Sequence, residues 1–238
     1  MKKRLDVLLV ERGLAESRAQ AQALVLAGRV PGFEKAGTAV EEDAELAVTQ
    51  PPRFVSRGGE KLANALEAFG IVVEDEDCLD IGASTGGFAD CLLQAGAARV
   101  CALDVGYGQL HPRLREDPRV IVLERTNVRH LRCDELPFAP TFLTCDVSFI
   151  GVTKAFPPAL RCAAPGWRAL VLVKPQFEAG PREAKCGVVR DPEVRRRIVD
   201  EVAAEVPEWG GRVAGVADSG LPGPKGNREF FLHVVADH

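Results

Sequence analysis

The sequence predicts an α/β fold, a mostly parallel sheet with helices on both faces, preceded by a small α+β module. From about residue 78 onward, short apolar runs typical of strands alternate with helical patterns. The first of these strands leads directly into a glycine-rich loop, which is typical of nucleotide-binding α/β proteins. Residues 1–50 have instead the pattern of two short helices, which indicates a separate module.

Residues 78–104 form the unit on which the rest of the prediction depends, CLDIGASTGGFADCLLQAGAARVCALD. The first strand is followed by the loop Gly-Ala-Ser-Thr-Gly-Gly, and glycines at this spacing let the backbone turn sharply and approach a ligand. A helical pattern covers residues 88–95, and a second strand over residues 99–103 ends at Asp104. An acid at that strand end is placed to accept hydrogen bonds from a ribose.

This loop indicates a ligand that has a ribose but no pyrophosphate. Its glycine spacing differs from the G-x-G-x-x-G of dinucleotide-binding proteins, and it lacks the lysine of a phosphate-binding loop. S-adenosylmethionine meets both conditions and is the predicted cofactor. The alternative is a glycine-rich turn of an α/β protein that binds nothing.

The composition fits one ordinary domain plus a small one. The chain has 238 residues, of which 46% are hydrophobic, and a mean hydropathy near zero. It has no run of about 18 apolar residues, so no membrane span is predicted. The N-terminus begins with basic residues like a signal peptide, but Asp6, Glu11 and Arg12 interrupt any apolar core region, which argues against an export signal. A net charge of −4 means that any nucleic-acid binding depends on a local basic patch.

Seven cysteines are scattered along the chain, and none are paired as C-x-x-C. Their odd number and wide spacing predict neither a disulfide framework nor a zinc site, and no metal is expected. The predicted location is therefore the cytoplasm. Most of the cysteines are expected to be small buried hydrophobes.

The N-terminal module, residues 1–50, is predicted to contain a helical hairpin. Ser17 opens the pattern S-R-A-Q, the capping box of the second helix. A semi-rigid linker with two prolines, residues 51–57, leads from this module to the main domain, residues 58–238. A small sheet could close the module through Val30, Leu46 and Val48.

Basic residues recur on this helical hairpin, with seven Lys or Arg against four Asp or Glu over residues 1–35. Charge alone leaves open whether they form a solvated helical face or a binding surface. The string RLDVLLVERGLAESRAQAQALVLAGRV resembles the S4-like RNA-binding module. That resemblance implies that Arg4, Arg18 and Arg29 contact phosphates, which would position the protein on RNA without reading its sequence.

Charged residues mark the ends of several strands in the main domain. Asp104, Asp146 and Lys174 are expected to face one crevice, because ligands of open α/β sheets bind beyond the carboxyl ends of the strands. Lys61, from a preceding helix, and Glu229, at the start of the last strand, can reach the same crevice. An unpaired charge inside a core costs several kcal/mol, so their convergence indicates a function. For Lys61, the alternative is an exposed lysine held by Glu60. The remaining strands are predicted at residues 120–123, 142–146, 169–173, 213–216 and 230–235.

Nearly the whole chain resembles the TlyA family of ribosomal RNA 2′-O-methyltransferases, in which an S4-like module precedes an FtsJ-like catalytic domain. The motifs that carry the resemblance are SRGGEKL, LDIGASTGGF, ALDVGYGQL, CDVSFI, LVKPQFEAG, GVVRDP and GPKGNREF. It implies a Rossmann-like seven-stranded methyltransferase sheet and a catalytic tetrad of Lys61, Asp146, Lys174 and Glu229. It also implies cofactor contacts from Gly82, Ser84, Gly86, Gly87, Phe88, Asp104 and Asn127.

The same resemblance implies a substrate and a reaction. The expected target is a ribose 2′-hydroxyl, usually of cytidine, in 16S or 23S ribosomal RNA within the 30S or 50S subunit. A 2′-hydroxyl is a poor nucleophile until it loses its proton. The working hypothesis is that Lys174, as a neutral amine, takes that proton and Lys61 stabilises the developing alkoxide. Asp146 and Glu229 would orient the two lysines.

Two other functions stay open at this point. One is a membrane-damaging protein, because this family has also been called haemolysin, although the sequence has no strongly basic amphipathic helix. The other is an RNA-binding protein whose methyltransferase fold is inactive, against which the intact tetrad argues. No membrane partner is expected, and the sequence predicts no particular oligomeric state.

Overall fold

A computed structural model describes residues 1–50, 52–180 and 183–237, apart from the side chains of Lys185 and Pro224. The chain divides into two compact units, Met1–Pro52 and Arg53–His238. Part of the predicted linker, from Arg53 onward, lies in the second unit, where Phe54 is buried in the core. Pro51, also in that linker, lies outside the described residues.

The first unit contains the predicted helical hairpin. Its elements are β1 (Lys2–Arg4), α1 (Leu5–Glu11), α2 (Arg18–Leu26) and β2 (Ala39–Glu41). Ser17 caps α2 as expected, because its Oγ accepts a hydrogen bond from the Gln20 backbone N–H at 3.2 Å. Leu5, Leu9 and Val25 are among the buried residues that join the two helices in one small core.

The small sheet of this unit differs from the prediction. It pairs β1 with β2 in antiparallel fashion, whereas the expected pairing was of Val30 with Leu46 and Val48. Lys2 lies opposite Glu41 in the register, and their charged groups are 3.7 Å apart. Cross-strand charge pairs of this kind leave no hydrophobic alternation, so the pattern of the sequence did not reveal the strands.

The second unit is built on a mixed sheet of seven strands within the described ranges, in the order β5-β4-β3-β6-β7-β9-β8. The five strands from β5 to β7 are parallel, and β9 runs antiparallel between β7 and β8. This is the seven-stranded methyltransferase sheet that was predicted. The strands are β3 (Asp77–Ile81), β4 (Arg99–Leu103), β5 (Val120–Leu123), β6 (Phe142–Cys145), β7 (Arg168–Val173), β8 (Gly211–Asp218) and β9 (Phe230–Ala236).

Helices cover both faces of this sheet. The bounds are α3 (Arg57–Phe69), α4 (Gly87–Gln94), α5 (Pro112–Arg115), α6 (Val152–Ala155), α7 (Pro157–Leu160), α8 (Pro175–Glu178) and α9 (Pro192–Glu205). One core cluster joins α3 and α4 to the sheet, and a second joins α6, α7 and α9 to it. The single helix predicted over residues 152–162 is two short helices, because Pro157 lacks the N–H that would continue the first.

The strand order places the switch point of the sheet between β3 and β6. From β3 the chain moves outward to β4 and β5, then returns to the other side of β3 with β6 and β7. The connections that leave β3 and β6 therefore diverge and open a crevice at the carboxyl ends of these strands. Asp146 directly follows β6 at this crevice.

The cysteines depart from the prediction in one respect. Cys133 and Cys162 form a disulfide, although no disulfide was expected. The two residues are 29 positions apart, and the fold brings their Cα atoms to 4.9 Å, a proximity that sequence spacing does not encode. Four of the other cysteines are buried as expected, namely Cys78, Cys91, Cys101 and Cys145.

Candidate active site

The glycine loop after β3 packs closely against the end of β6. Gly82 has φ +82°, and a Cβ atom there would lie 2.5 Å from the carbonyl oxygen of Asp146. Gly86 has φ +93° and precedes α4, and a Cβ at this position would collide with the side chain of Leu114. A side chain at either position would therefore push the loop away from its neighbours.

A first cavity of about 540 Å³ opens beside this loop at the carboxyl ends of β3, β4 and β6. The carboxylate of Asp104 lies on its wall and accepts hydrogen bonds from the backbone N–H groups of Ser84, at 2.8 Å, and Gly106, at 2.6 Å. These bonds fix the carboxylate and leave further lone pairs for a ligand hydroxyl. The cavity has the size of an ordinary small-molecule site.

The predicted cofactor residues do not all line this cavity. Gly82, Ser84, Asp104 and Asn127 line it, and Gly87 and Phe88 line a second cavity next to it. Gly86 lines neither of the two, and the absence of a Cβ atom there leaves room for the side chain of Leu114.

The second cavity, of about 340 Å³, brings the predicted tetrad together. Lys61, Asp146, Lys174 and Glu229 all line it, although they come from α3, the end of β6, the end of β7 and the start of β9. Both cavities share Gly82, Ser84 and Asp146 in their linings, so they adjoin at the glycine loop.

One half of the tetrad is a buried ion pair between Lys61 and Glu229. The Lys61 Nζ and Glu229 Oε2 atoms are 2.5 Å apart, and the side chains are 10% and 0% exposed. Gln176 donates a hydrogen bond from Nε2 to Glu229 Oε1 at 3.1 Å. The alternative for Lys61, an exposed lysine held by Glu60, is therefore wrong.

The other half pairs Lys174 with Asp146. The Lys174 Nζ atom lies 2.5 Å from Asp146 Oδ1 and donates a hydrogen bond to Ser148 Oγ at 3.0 Å. It also lies 5.9 Å from the centre of the Phe177 ring. Each of these contacts suits a positively charged amine.

A third carboxylate, Asp80, is buried beneath the site. It accepts hydrogen bonds from Thr144 Oγ1 at 2.9 Å and from the backbone N–H of Ala89 at 3.0 Å. Burial raises the pKa of Asp80 to about 7, and the nearby charge of Asp146 acts in the same direction. Asp80 thus links β3 to β6 and to the first turns of α4.

The arginines predicted to contact RNA are ordered within the first unit. Arg4 and Arg18 both donate to the carboxylate of Asp6, at 3.0 and 3.1 Å. Arg29 is half-buried and donates to the side chain and carbonyl oxygen of Thr49, so a structural role accounts for its position.

Comparison with known proteins identifies the family. The FtsJ-like methyltransferase model matches residues 54–235, and the S4 domain model matches residues 3–30. The chain is 48% identical to the 16S/23S rRNA (cytidine-2′-O)-methyltransferase TlyA of Mycobacterium tuberculosis, over 96% of this chain and 88% of that one. The chain belongs to the TlyA family of FtsJ-like methyltransferases.

Two further relatives of this TlyA-family chain bear a different name. Hemolysin A of Brachyspira hyodysenteriae is 39% identical over 98% of this chain and 99% of its own length. The solved structure of a candidate hemolysin from Streptococcus thermophilus is 40% identical, covers 99% of this chain and 89% of that one, and has a TM-score of 0.78. Within the described ranges, this chain has no helix with the length and hydropathy needed to cross a membrane.

Two residues that hold the tetrad of this TlyA-family chain were not predicted. Ser148 and Gln176 lie in the motifs CDVSFI and LVKPQFEAG, but a serine and a glutamine carry no signal of their own in a single sequence. Their roles depend on partners 26 and 53 residues away. Among the residues with defined positions, no cluster of His, Cys, Asp and Glu could hold a metal ion.

Proposed function

We propose that this protein uses S-adenosylmethionine to methylate the 2′-hydroxyl of a ribose, that of a cytidine, in 16S or 23S ribosomal RNA. The observation that carries the proposal is the convergence of two lysines and two carboxylates in one cavity beside the glycine loop. The relative from Mycobacterium tuberculosis is named for this reaction, and its identity of 48% extends over both units.

The first cavity fits S-adenosylmethionine in its chemistry. Asp104 offers fixed carboxylate oxygens for ribose hydroxyls, and Gly82 leaves room at the point where the two cavities adjoin. Ser84, Gly87, Phe88 and Asn127 would complete the binding site, with Gly86 shaping the loop. When bound, this cofactor supplies an electrophilic methyl group on a positively charged sulfur.

Lys174 would act as the base. It would take the proton of the 2′-hydroxyl, the oxygen that accepts the methyl group. Its ammonium group must first lose a proton to solvent. The ribose hydroxyl would then replace Asp146 or Ser148 as one of the contacts of Lys174. Lys61 lines the same cavity, so both amines would lie near the ribose hydroxyl.

Lys61 would stabilise the negative charge that develops on the attacking oxygen. Glu229 holds its ammonium group within the cavity, and Gln176 fixes Glu229 in turn. A well-placed donor of this kind contributes on the order of 3 kcal/mol to the transition state. Asp146 would orient Lys174 in the same way.

The first unit would bind folded RNA through Arg4 and Arg18, whose guanidinium groups remain about half exposed. The contact of Arg29 with an RNA phosphate stays a prediction. In this proposal residues 1–50 serve as the RNA-binding module and residues 58–238 as the catalytic domain, and the part of the linker 51–57 from Arg53 onward belongs to the second unit. A ribosomal RNA substrate would place the protein in the cytoplasm.

The direct test incubates the protein with isolated 30S and 50S subunits and S-adenosylmethionine that has a labelled methyl group. We expect label in ribosomal RNA, at a cytidine whose ribose has gained one methyl group by mass spectrometry of nuclease fragments. Label on a base or on protein, or no label with either subunit, would refute the proposed reaction.

The hemolysin name of some relatives suggests the second candidate, a membrane-damaging protein. Purified protein would be incubated with dye-loaded liposomes in the absence of S-adenosylmethionine. We expect no dye release, and rapid release would support the second candidate instead.

A further inference from the structure

The first unit contains a buried carboxylate that no step of the proposed reaction uses. Asp6 lies in the first turn of α1 and is fully buried. Its backbone N–H donates to the carbonyl oxygen of Ala36 at 3.0 Å, which ties this turn to the chain before β2. A carboxylate in such a position is costly unless donors surround it.

Three side chains supply those donors. Arg4 binds the carboxylate through two atoms, Nε and Nη2, both at 3.0 Å. From α2, Arg18 Nη2 donates at 3.1 Å and Gln22 Nε2 at 2.9 Å. The hydrogen bonds from Arg4, then those from Gln22 and Arg18, hold the pKa of Asp6 well below its ordinary value, so the carboxylate is charged at neutral pH.

The two arginines nevertheless keep an outer face. The side chains of Arg4 and Arg18 are 54% and 58% exposed, whereas Asp6 is fully covered. Two guanidinium groups that share one carboxylate carry a net charge of +1. Without Asp6 the two groups would repel each other and adopt many rotamers, so the carboxylate fixes both their spacing and their direction.

We propose that Asp6 is a positioning residue that aligns Arg4 and Arg18 as one site for an RNA backbone phosphate. The inference rests on the proposed RNA-binding function of the first unit. A phosphate accepts paired hydrogen bonds from guanidinium groups, and groups that are already ordered lose less conformational entropy on binding. The buried acid thus strengthens the binding of an anion through the cations that it holds.

Substitution of Asp6 distinguishes this positioning role from a simple effect of charge, because the two predict opposite changes in RNA affinity. Asp6→Asn removes one negative charge, so electrostatics alone predicts tighter RNA binding, whereas loss of positioning predicts weaker binding. Glu16→Gln makes the same change of charge at an exposed side chain of the same unit and is the matched control. The probe is labelled ribosomal RNA, with the full-length protein.

We expect Asp6→Asn to raise the Kd for ribosomal RNA by about tenfold. The slope of log Kd against the logarithm of salt concentration should decrease by the equivalent of about one phosphate contact. The Kd for S-adenosylmethionine should not change. Glu16→Gln should leave RNA binding equal to the wild type or slightly tighter. If Asp6→Asn binds RNA as tightly as Glu16→Gln does, the positioning role is refuted.

Asp6→Glu covers the case in which the asparagine variant fails to fold, as judged by circular dichroism. It keeps the charge but displaces the carboxylate by one methylene group, and we expect a smaller loss of RNA affinity in a folded protein. Wild-type affinity in that variant would overturn the inference. The double substitution of Arg4 and Arg18 by alanine tests the underlying function: wild-type RNA affinity there would refute RNA binding by these arginines.

Discussion

At the scale of single residues, Lys174 is the group on which the proposed chemistry depends most. Lys174→Ala should lower kcat for ribosomal RNA by about 10²- to 10⁴-fold, because the 2′-hydroxyl would lose its base. The affinity for S-adenosylmethionine should change little, since Lys174 is not among the proposed cofactor contacts and does not line the cavity that contains Asp104. The measurement combines methyl-transfer kinetics with calorimetric titration of the cofactor.

Lys154 provides the matched control for this experiment. It is an exposed lysine in α6 and lines neither cavity. Lys154→Ala should therefore retain the parent rate. A Lys174→Ala protein that methylated RNA as fast as the Lys154→Ala protein would remove Lys174 from the mechanism.

Asp80 should make the free energy of unfolding decrease as pH rises. Its pKa is about 7 in the folded protein and near 4 in the unfolded chain, so between these values the folded state holds the proton more tightly. The stabilisation that Asp80 contributes to the folded state is therefore complete below about pH 4. It declines as pH rises from about 4 through 7 and is constant above that pH. Asp80→Asn keeps both hydrogen bonds possible and should remove this decline, which amounts to a few kcal/mol.

The measurement for Asp80 is the free energy of unfolding in urea from pH 4 to pH 8. The difference between wild type and Asp80→Asn isolates this one group, because all other titrating groups are common to both proteins. Asp200→Asn, at an exposed carboxylate, should leave the wild-type curve unchanged. A difference curve that is flat, or that rises with pH, would contradict the assigned pKa.

At the scale of secondary-structure elements, the parallel part of the sheet could be predicted almost residue by residue. Residues 99–103 and 120–123 were predicted as strands and are β4 and β5, since buried parallel strands are short apolar runs bounded by turn residues. β1 could not be predicted, because Lys2–Arg4 has no apolar pattern and forms a strand only through its pairing with β2. The information that defines β1 lies in contacts between distant residues.

The loop after β3 gives a prediction at this scale. Gly82→Ala should destabilise the protein by more than about 3 kcal/mol, because it adds a collision with the Asp146 carbonyl oxygen to the strain of a positive φ. It should also weaken S-adenosylmethionine binding, since the loop separates the two cavities. Thermal unfolding and cofactor titration measure the two effects.

Gly70→Ala is the matched control for Gly82→Ala. Gly70 ends α3 with φ +61°, and no atom lies within 4 Å of its added Cβ. This variant carries the backbone strain alone, so it should lose about 1–2 kcal/mol and bind the cofactor normally. Equal losses of stability and affinity in both variants would mean that the close approach to β6 is unimportant.

At the scale of the whole molecule, the sequence predicted which residues meet but not how they pair. Asp146 and Lys174 were expected in one crevice because the carboxyl ends of parallel strands share an edge of the sheet. Lys61 and Glu229 were expected to reach it from a preceding helix and from the start of the last strand, and all four line one cavity. That Lys61 pairs with Glu229 and Lys174 with Asp146 depends on side-chain positions that no pattern of spacing contains. The two supporting residues, Ser148 and Gln176, were missed for the same reason.

Because the chain divides into two compact units, we expect truncation to separate cofactor binding from RNA binding. Arg53–His238 contains both cavities and the whole tetrad, whereas the arginine pair lies in Met1–Pro52. A protein that begins at Arg53 should bind S-adenosylmethionine with wild-type affinity, and it should methylate limiting ribosomal RNA at least about 100-fold more slowly.

Adding the first unit as a separate chain should not restore the rate of the truncated protein. The covalent link raises the effective concentration of RNA at the second unit, and that advantage is lost when the two units diffuse independently. Methyl transfer at high RNA concentration should recover in part, because mass action then replaces the missing contacts. A truncated protein that methylated limiting RNA at the full rate would show that the first unit contributes no binding energy to the reaction.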